Sequence, residues 1–254
     1  DKDGKLTDIG AEIAQIPLDP HLGRILIEGN KRKVLDETIV CSAFLSIVDP
    51  RERPFDKQTQ ADTAHKKFKD ESSDFSTIIN LWCETEKNAS SNGALRRFCK
   101  DNFLNYRRMR DWRNLVEELT LDAIGKDKTL LGEVDFEKFD RENFHIALLT
   151  GLPRNLGHWN VEKREYEDMQ GRKFQCFPSS ALAKLKQKPE WILFFHLLET
   201  KNLYSLFNAE INPEYLLVTS PQLLKKSYSA INFNPAITAS FVILTSCPGI
   251  LLLL

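Results

Sequence analysis

Apolar positions along the first part of the chain recur at helical spacing. Leu22, Ile25 and Leu26, then Leu35, Ile39, Phe44 and Leu45, predict helices across Leu22–Ser46 with a break at Gly29-Asn30. Val34–Ile47 is apolar around most of its circumference, which predicts the central helix of a bundle, stopped at Asp49-Pro50. The polar stretch that follows predicts an exposed helix over Gln58–Phe68. Ser72–Glu86 reads as a helix capped at Ser72 or Ser73, with Phe75, Ile78, Ile79, Trp82 and Cys83 in one stripe. Further helices are predicted over Gly93–Lys100 and Asn105–Leu119. The latter turns Tyr106, Met109, Trp112, Val116 and Leu119 inward and carries Arg107, Arg108, Arg110 and Arg113 on its other faces. A linker over 121–135 precedes a helix over Phe136–Gly151 that ends at a glycine.

Beyond Gly151 the pattern shortens. Arg164–Tyr166, Lys173–Phe177, Glu190–Leu198 and Leu203–Asn208 read as strands separated by turn residues at Gln170-Gly171, Pro178 and Pro189. The fold class is therefore α+β, a helical bundle followed by a small β-barrel or sheet. Asn212–Leu216 starts a helical turn. Lys226 is the last charged residue, and Ile237–Leu254 is apolar with Cys247-Pro248-Gly249 inside it. Its length nears that of a membrane span, but the Pro-Gly pair and the lack of a basic flank favour an irregular, aberrant tail over 230–254. With Asp1-Lys2-Asp3-Gly4 in place of an initiating Met, the chain is expected to be a truncated or frameshifted fragment.

Composition narrows the function. Lys and Arg number 35 against 36 Asp and Glu, so any contact with nucleic acid must come from local clusters. The arginines of Asn105–Leu119 form such a cluster, because a guanidinium fork matches phosphate oxygens. Small hydroxyls and a lysine at the turn and strand ends of Phe174–Thr200 also suit a phosphate backbone. The five cysteines have no C-x-x-C spacing, which favours reduced, cytoplasmic thiols over disulfides or zinc. Asp1, Asp3, Thr7 and Glu12 mimic a calcium loop, but Lys5 and Leu6 stand where an oxygen ligand and a glycine are needed. No phosphate-binding G-x-x-x-x-G-K-[ST] loop, H-E-x-x-H or G-x-S-x-G motif is present. His65, His145, His158 and His196 each stand without a paired nucleophile or second ligand in sequence, and Glu190 and Glu199 fall on opposite faces of one strand.

Taken in order, Gly4–Leu26, Ser42–Phe68, Glu71–Trp82, Asn92–Trp112, His145–Gly157, FPSSAL at Phe177–Leu182 and Pro189–Tyr204 resemble the C-terminal auxiliary region of DEAH-box RNA helicases, the bacterial HrpA type in particular. The resemblance runs from about Gly4 to Ser229. It implies the end of a winged-helix domain over 1–18, a ratchet-like helical bundle over 19–120 and an OB-fold over 136–229. It also implies single-stranded RNA and the parent's RecA-like motor domains as partners. ATP and magnesium would serve those motor domains, with no cofactor and no catalytic residue in this chain. Relatives usually carry His-Pro-Ser-Ser where this chain has Phe177-Pro178-Ser179-Ser180. By resemblance, the RNA-contacting residues are Ser179, Ser180, Thr200, Lys201, Arg154, Asn155 and Arg107. A non-catalytic protein-interaction scaffold is the alternative, and a membrane-tethered form the next.

Overall fold

The computed structural model describes residues 5–124 and 140–221, with the backbone alone of 122–124, 226–227, 241–244 and 250–253. The chain divides into two compact units, Asp1–Gly151 and Leu152–Leu254.

The first unit is helical. It contains α1 (Asp8–Ile13), α2 (Pro20–Lys31), α3 (Leu35–Leu45), α4 (Gln58–Lys66), α5 (Asp74–Asn88), α6 (Asn92–Asp101), α7 (Tyr106–Ile124) and α8 (Arg141–Gly151). Helix starts follow local chemistry. Thr7, Asp19, Ser73 and Ser91 each place a side-chain oxygen on an early backbone N–H, and Pro20 opens α2. As its composition predicts, α3 is central, with every residue from Glu37 to Phe44 buried. Trp112 of α7 is fully buried against it, donating its indole N–H to Val40 O at 3.0 Å and meeting the rings of Phe44 and Trp82 edge-on at 5.0 and 4.9 Å.

Three boundaries differ from the expectation. The helix expected to break at Gly29-Asn30 runs on to Lys31, and the chain turns at Lys33, whose φ is 61°. Gly29 is needed for close approach instead, since a Cβ there would lie 2.2 Å from Thr38 Oγ1 of α3. Helix α7 continues to Ile124, four residues into the stretch read as linker; 125–139, with the expected helix start at Phe136, lies outside the described residues. Helix α8 packs with the helical unit, on α2. There Gly151 permits the contact: a Cβ would sit 2.4 Å from both His21 O and Ile25 Cγ1. His21 Nδ1 lies 3.1 Å from Gly151 O.

A polar latch joins α8 to the start of α5. His145 Nδ1 is 2.6 Å from Arg141 O and its Nε2 is 2.8 Å from Ser73 Oγ, the cap that accepts from Ser76 N. Arg141 also pairs with Asp70. Nδ1–H donating while Nε2 accepts from the serine is a neutral imidazole's arrangement. Burial holds this imidazole below its ordinary value, opposed by the Arg141 carbonyl and Asp70 and aided by the Arg141 charge.

The second unit is a closed barrel in the order β1-β2-β3-β5-β4, built from β1 (Leu156–Asn160), β2 (Glu165–Asp168), β3 (Lys173–Cys176), β4 (Trp191–Glu199) and β5 (Leu203–Glu210). Neighbours are antiparallel except β3 and β5, which run parallel with Gln175 beside Tyr204 and Cys176 beside Ser205. Tyr166, Phe174, Cys176, Ile192, Phe194 and Leu182 fill the interior. Strand β1 was not foreseen, because Leu156-Gly157-His158-Trp159-Asn160 shows no alternation. Gly157 fits where a Cβ would come within 2.6 Å of the Phe174 ring. Helix α9 (Tyr215–Thr219) follows, and then β6 (Lys226–Ser227), β7 (Phe241–Leu244) and β8 (Ile250–Leu253) pair antiparallel. Parts of the stretch expected to be irregular are therefore strand; the remainder lies outside the described residues. Among the described residues no helix is long and apolar enough to cross a membrane.

Two outcomes follow. Gly151→Ala forces α8 off α2 and should cost about 1–3 kcal/mol, read as a lower urea midpoint with an unchanged slope. Because the His145 imidazole titrates lower in the fold than in the unfolded chain, its contribution is complete above the ordinary value of about 6.5 and is lost as pH falls below it. Melting temperature should drop from pH 7.5 to 5.5, and His145→Gln should flatten that drop; an equally steep profile in the variant would exclude the latch as its source. His65, also held low by burial, supplies the residual slope.

Candidate nucleic-acid interface

The barrel's turns are held by their own side chains. In the β2–β3 turn, buried Asp168 accepts from Gln170 N, Arg172 N and Arg172 Nε, while Gly171 takes a φ of 78°. The long crossover from β3 to β4 is tied down repeatedly. Phe177 N donates to Ser205 O, Ser180 N to Phe177 O, and Lys188 Nζ to Leu182 O and Ala183 O at 2.9 and 2.7 Å. Tyr166 OH donates to Pro189 O at 3.0 Å.

Register places four of the expected contact residues level with one another. Asn155, just before β1, lies beside Phe194 and Phe195 of β4: Phe194 N donates to its carbonyl, and its amide Nδ2 donates to Phe195 O at 2.5 Å. Phe194 pairs with Asn208 of β5, whose Nδ2 donates to Ser180 Oγ at 3.1 Å. Arg154, Asn155, Ser179 and Ser180 thus border one transverse row across the barrel wall. Thr200 and Lys201 do not join them. They form the β4–β5 turn, before Leu203, and Leu203 to Asn208 spans roughly 17 Å of strand. Arg107 lies on α7 in the other unit.

The seven residues divide by what their polar atoms already do. Ser180 is 4% exposed, and its hydroxyl accepts from Asn208 Nδ2 and from Leu182 N at 3.3 Å. The expectation that it donates to a phosphate is corrected: its hydroxyl faces inward and fixes the crossover. Asn155 spends its amide on Phe195 O. Thr200 is exposed, but its hydroxyl donates to Asn202 O at 2.8 Å and accepts from Asn202 N at 3.2 Å, closing the hairpin. Arg107, Arg154, Ser179 and Lys201 are exposed, and their side chains have no hydrogen bond or ion pair among the described residues.

The arginine cluster of α7 divides the same way. Arg108 donates to Asp49 O at 3.1 Å and Arg113 pairs with Glu86 at 2.9 Å, leaving Arg107 and Arg110 outward. The sequence hid two features of the barrel's outer face. Phe195 and Phe207 meet at 6.3 Å where both strands change phase, Phe207 having a φ of 52°. Phe177 and Tyr204 meet edge-on at 5.7 Å on β5's other side. The first pairing depends on the antiparallel register of β4 and β5, and the second on the parallel register of β3 and β5.

No expected histidine gains a catalytic partner among the described residues. His145 serves the latch, His158 lies between Glu190 at 3.6 Å and the Trp191 ring, and His196 is exposed beside Phe195. His65 Nε2 sits 3.2 Å from Phe103 O. Among the described residues no group of His, Cys, Asp and Glu could hold a metal ion. A cleft of about 520 Å³ between α5, α6 and α7 is walled by Trp82, Leu95 and Val116 and rimmed by Arg110, Arg113 and Glu86.

Comparison with known proteins finds relatives for both units. Residues 19–78 match the helicase associated domain (HA2), ratchet-like, and residues 144–223 match the oligonucleotide/oligosaccharide-binding (OB)-fold. The second match begins inside α8, which packs with the helical unit. The ATP-dependent RNA helicase HrpA of Escherichia coli (strain K12) is 38% identical over 235 residues, which is 91% of this chain and 18% of that protein. The HrpA homolog of Haemophilus influenzae is 35% identical over 226 residues, 88% of this chain and 17% of that protein. The chain thus spans less than a fifth of the length of these relatives. With a ratchet-like domain, the barrel that follows it and this identity along most of its length, the chain is similar to one region of the bacterial HrpA-type RNA helicases.

Proposed function

We infer that the chain is the RNA-binding auxiliary part of an ATP-dependent DEAH-box RNA helicase. It clamps single-stranded RNA while RecA-like motor domains of the same parent protein bind ATP and magnesium and drive unwinding in the cytoplasm. The observation that carries the reading is the ratchet-like domain followed by the OB barrel, shared with two proteins named RNA helicases. ATP chemistry is assigned elsewhere because this sequence has no G-x-x-x-x-G-K-[ST] loop.

On this reading the contact is to the backbone. Arg107, Arg154 and Lys201 are exposed cations with no partner among the described residues, and Ser179 offers a hydroxyl on an exposed turn. Asn155, Ser180 and Thr200 act one step back, fixing the loops that carry Arg154, Ser179 and Lys201. A few exposed cations give weak affinity, which suits half of a clamp that the motor completes.

Filter binding of the full chain to a single-stranded oligonucleotide at several salt concentrations tests this. Affinity should fall steeply with salt, and Arg154→Ala and Lys201→Ala should each flatten the log–log slope by about 0.7. Binding that ignores salt, or is absent at low salt, would favour the scaffold alternative. Ser180→Ala separates the two roles. It leaves Asn208 Nδ2 without its hydroxyl acceptor and should lower stability by about 1 kcal/mol while the salt slope stays unchanged. A flattened slope would return Ser180 to the phosphate.

A further inference from the structure

Outward positions on β3, β5 and β4 follow from the inward ones. Phe174 and Cys176 of β3 and Ser205 of β5 are buried, so Gln175, Phe177, Tyr204 and Leu206 lie on the outside. His196 pairs with Leu206, and Leu198 with Tyr204, extending this face onto β4. Gln175 and His196 are exposed; Phe177, Leu198, Tyr204 and Leu206 are partly exposed. The face is thus apolar and aromatic on the outside of a barrel whose interior is already filled.

Its position is the informative part. Phe177 lies two residues before Ser179, and Tyr204 lies three after Lys201. The two rings touch, 5.7 Å apart and nearly perpendicular, so one ring offers its face where the other offers its edge. Tyr204 OH is within 3.4 Å of Asn202 Nδ2 in the Lys201 turn. A strand held by its phosphates at Lys201 and at Ser179 must cross this pair. On β3's other side Glu167 of β2 pairs with Lys173 and Glu165 lies 3.6 Å from the Lys173 ammonium, so the two carboxylates disfavour a polyanion there. The open path therefore follows β5.

We propose that Phe177 and Tyr204 form a stacking platform for unpaired nucleobases, lying between the Lys201 turn and the Ser179 turn. This rests on the RNA reading and adds to it: backbone contacts hold the strand, and the platform takes the bases. Every base has a π-face, so the platform is tolerant of sequence. It also requires a single strand, because paired bases are stacked on one another and cannot be splayed onto a protein ring.

The test compares two oligomers of equal length on the full chain at low salt, an oligoadenylate and its abasic ribose-phosphate counterpart. The base-bearing oligomer should bind the unaltered chain roughly five- to hundredfold more tightly than the abasic one. Tyr204→Leu, which keeps apolar bulk at a partly exposed position, should erase most of that difference and leave abasic binding unchanged. Equal affinity for both oligomers overturns the platform and leaves the RNA reading standing. Binding of neither overturns both. The oligomer comparison needs no variant, so it decides even if Tyr204→Leu unfolds the barrel.

Discussion

The second unit depends on one contact, the parallel pairing of β3 with β5. Three antiparallel pairs, β1–β2, β2–β3 and β4–β5, are hairpins with short turns, and β4 also pairs antiparallel with β1, but these four pairings leave two edges. Setting Gln175 beside Tyr204 and Cys176 beside Ser205 removes those edges, and a parallel pair needs a long crossover. The crossover here is 177–190, and its backbone must be satisfied without regular structure. Phe177 N, Ser180 Oγ, Lys188 Nζ and the Tyr166 hydroxyl do this one bond at a time. Without these bonds β4 could not return between β1 and β5. The turn that carries Ser179 is thus a consequence of closing the barrel.

That dependence explains why polar residues at the expected site divide into two kinds. A loop on a barrel rim has backbone groups that neither strand nor helix pairs. Some nearby side chains must serve them, and short Ser, Thr and Asn do so with least loss of side-chain freedom. Asn155 on Phe195 O and Thr200 on the hairpin carbonyl are such servants. Longer cations beside them, Arg154 and Lys201, reach past the backbone into solvent. Division of labour by side-chain length is what a sequence motif conceals: Phe177-Pro178-Ser179-Ser180 presents two equal hydroxyls in one-letter code, but one is 4% exposed and the other stands outward.

Where one residue fixes its own surroundings, the sequence was legible. A serine cap at Ser72 or Ser73, Val34–Ile47 as a central helix and the apolar run of β4 follow from spacing and capping chemistry alone. Gly29 and Gly157 were opaque because their reason is a distant partner, Thr38 in one case and the Phe174 ring in the other. A glycine kept for close approach looks in sequence like a glycine kept for a break. One outer aromatic pair was hidden for the same reason: Phe177 and Tyr204 are far apart in the chain and meet only through the parallel register. Resemblance to a helicase region pointed to the OB barrel but could not sort Ser179 from Ser180, since both residues match the same motif.

Each unit carries its own core, and each is fastened by a few specific polar bonds more than by extra apolar area. In the helical unit, α8 lies so close to α2 that only a glycine fits at 151, and its other end is fixed by His145 on the cap of α5. In the barrel, Ser180 and Asn208 play the corresponding part. Such bonds contribute little net free energy each, but they are costly to leave half-made, so they define one arrangement against near alternatives. On the proposed reading, in which the chain holds a strand in register with a motor, a unique geometry matters more than a large stability. Backbone cations alone would grip any polyanion in many registers. On the proposed reading, clamped loops with an aromatic face between the Lys201 turn and the Ser179 turn would restrict the grip to a strand whose phosphates and free bases match that spacing.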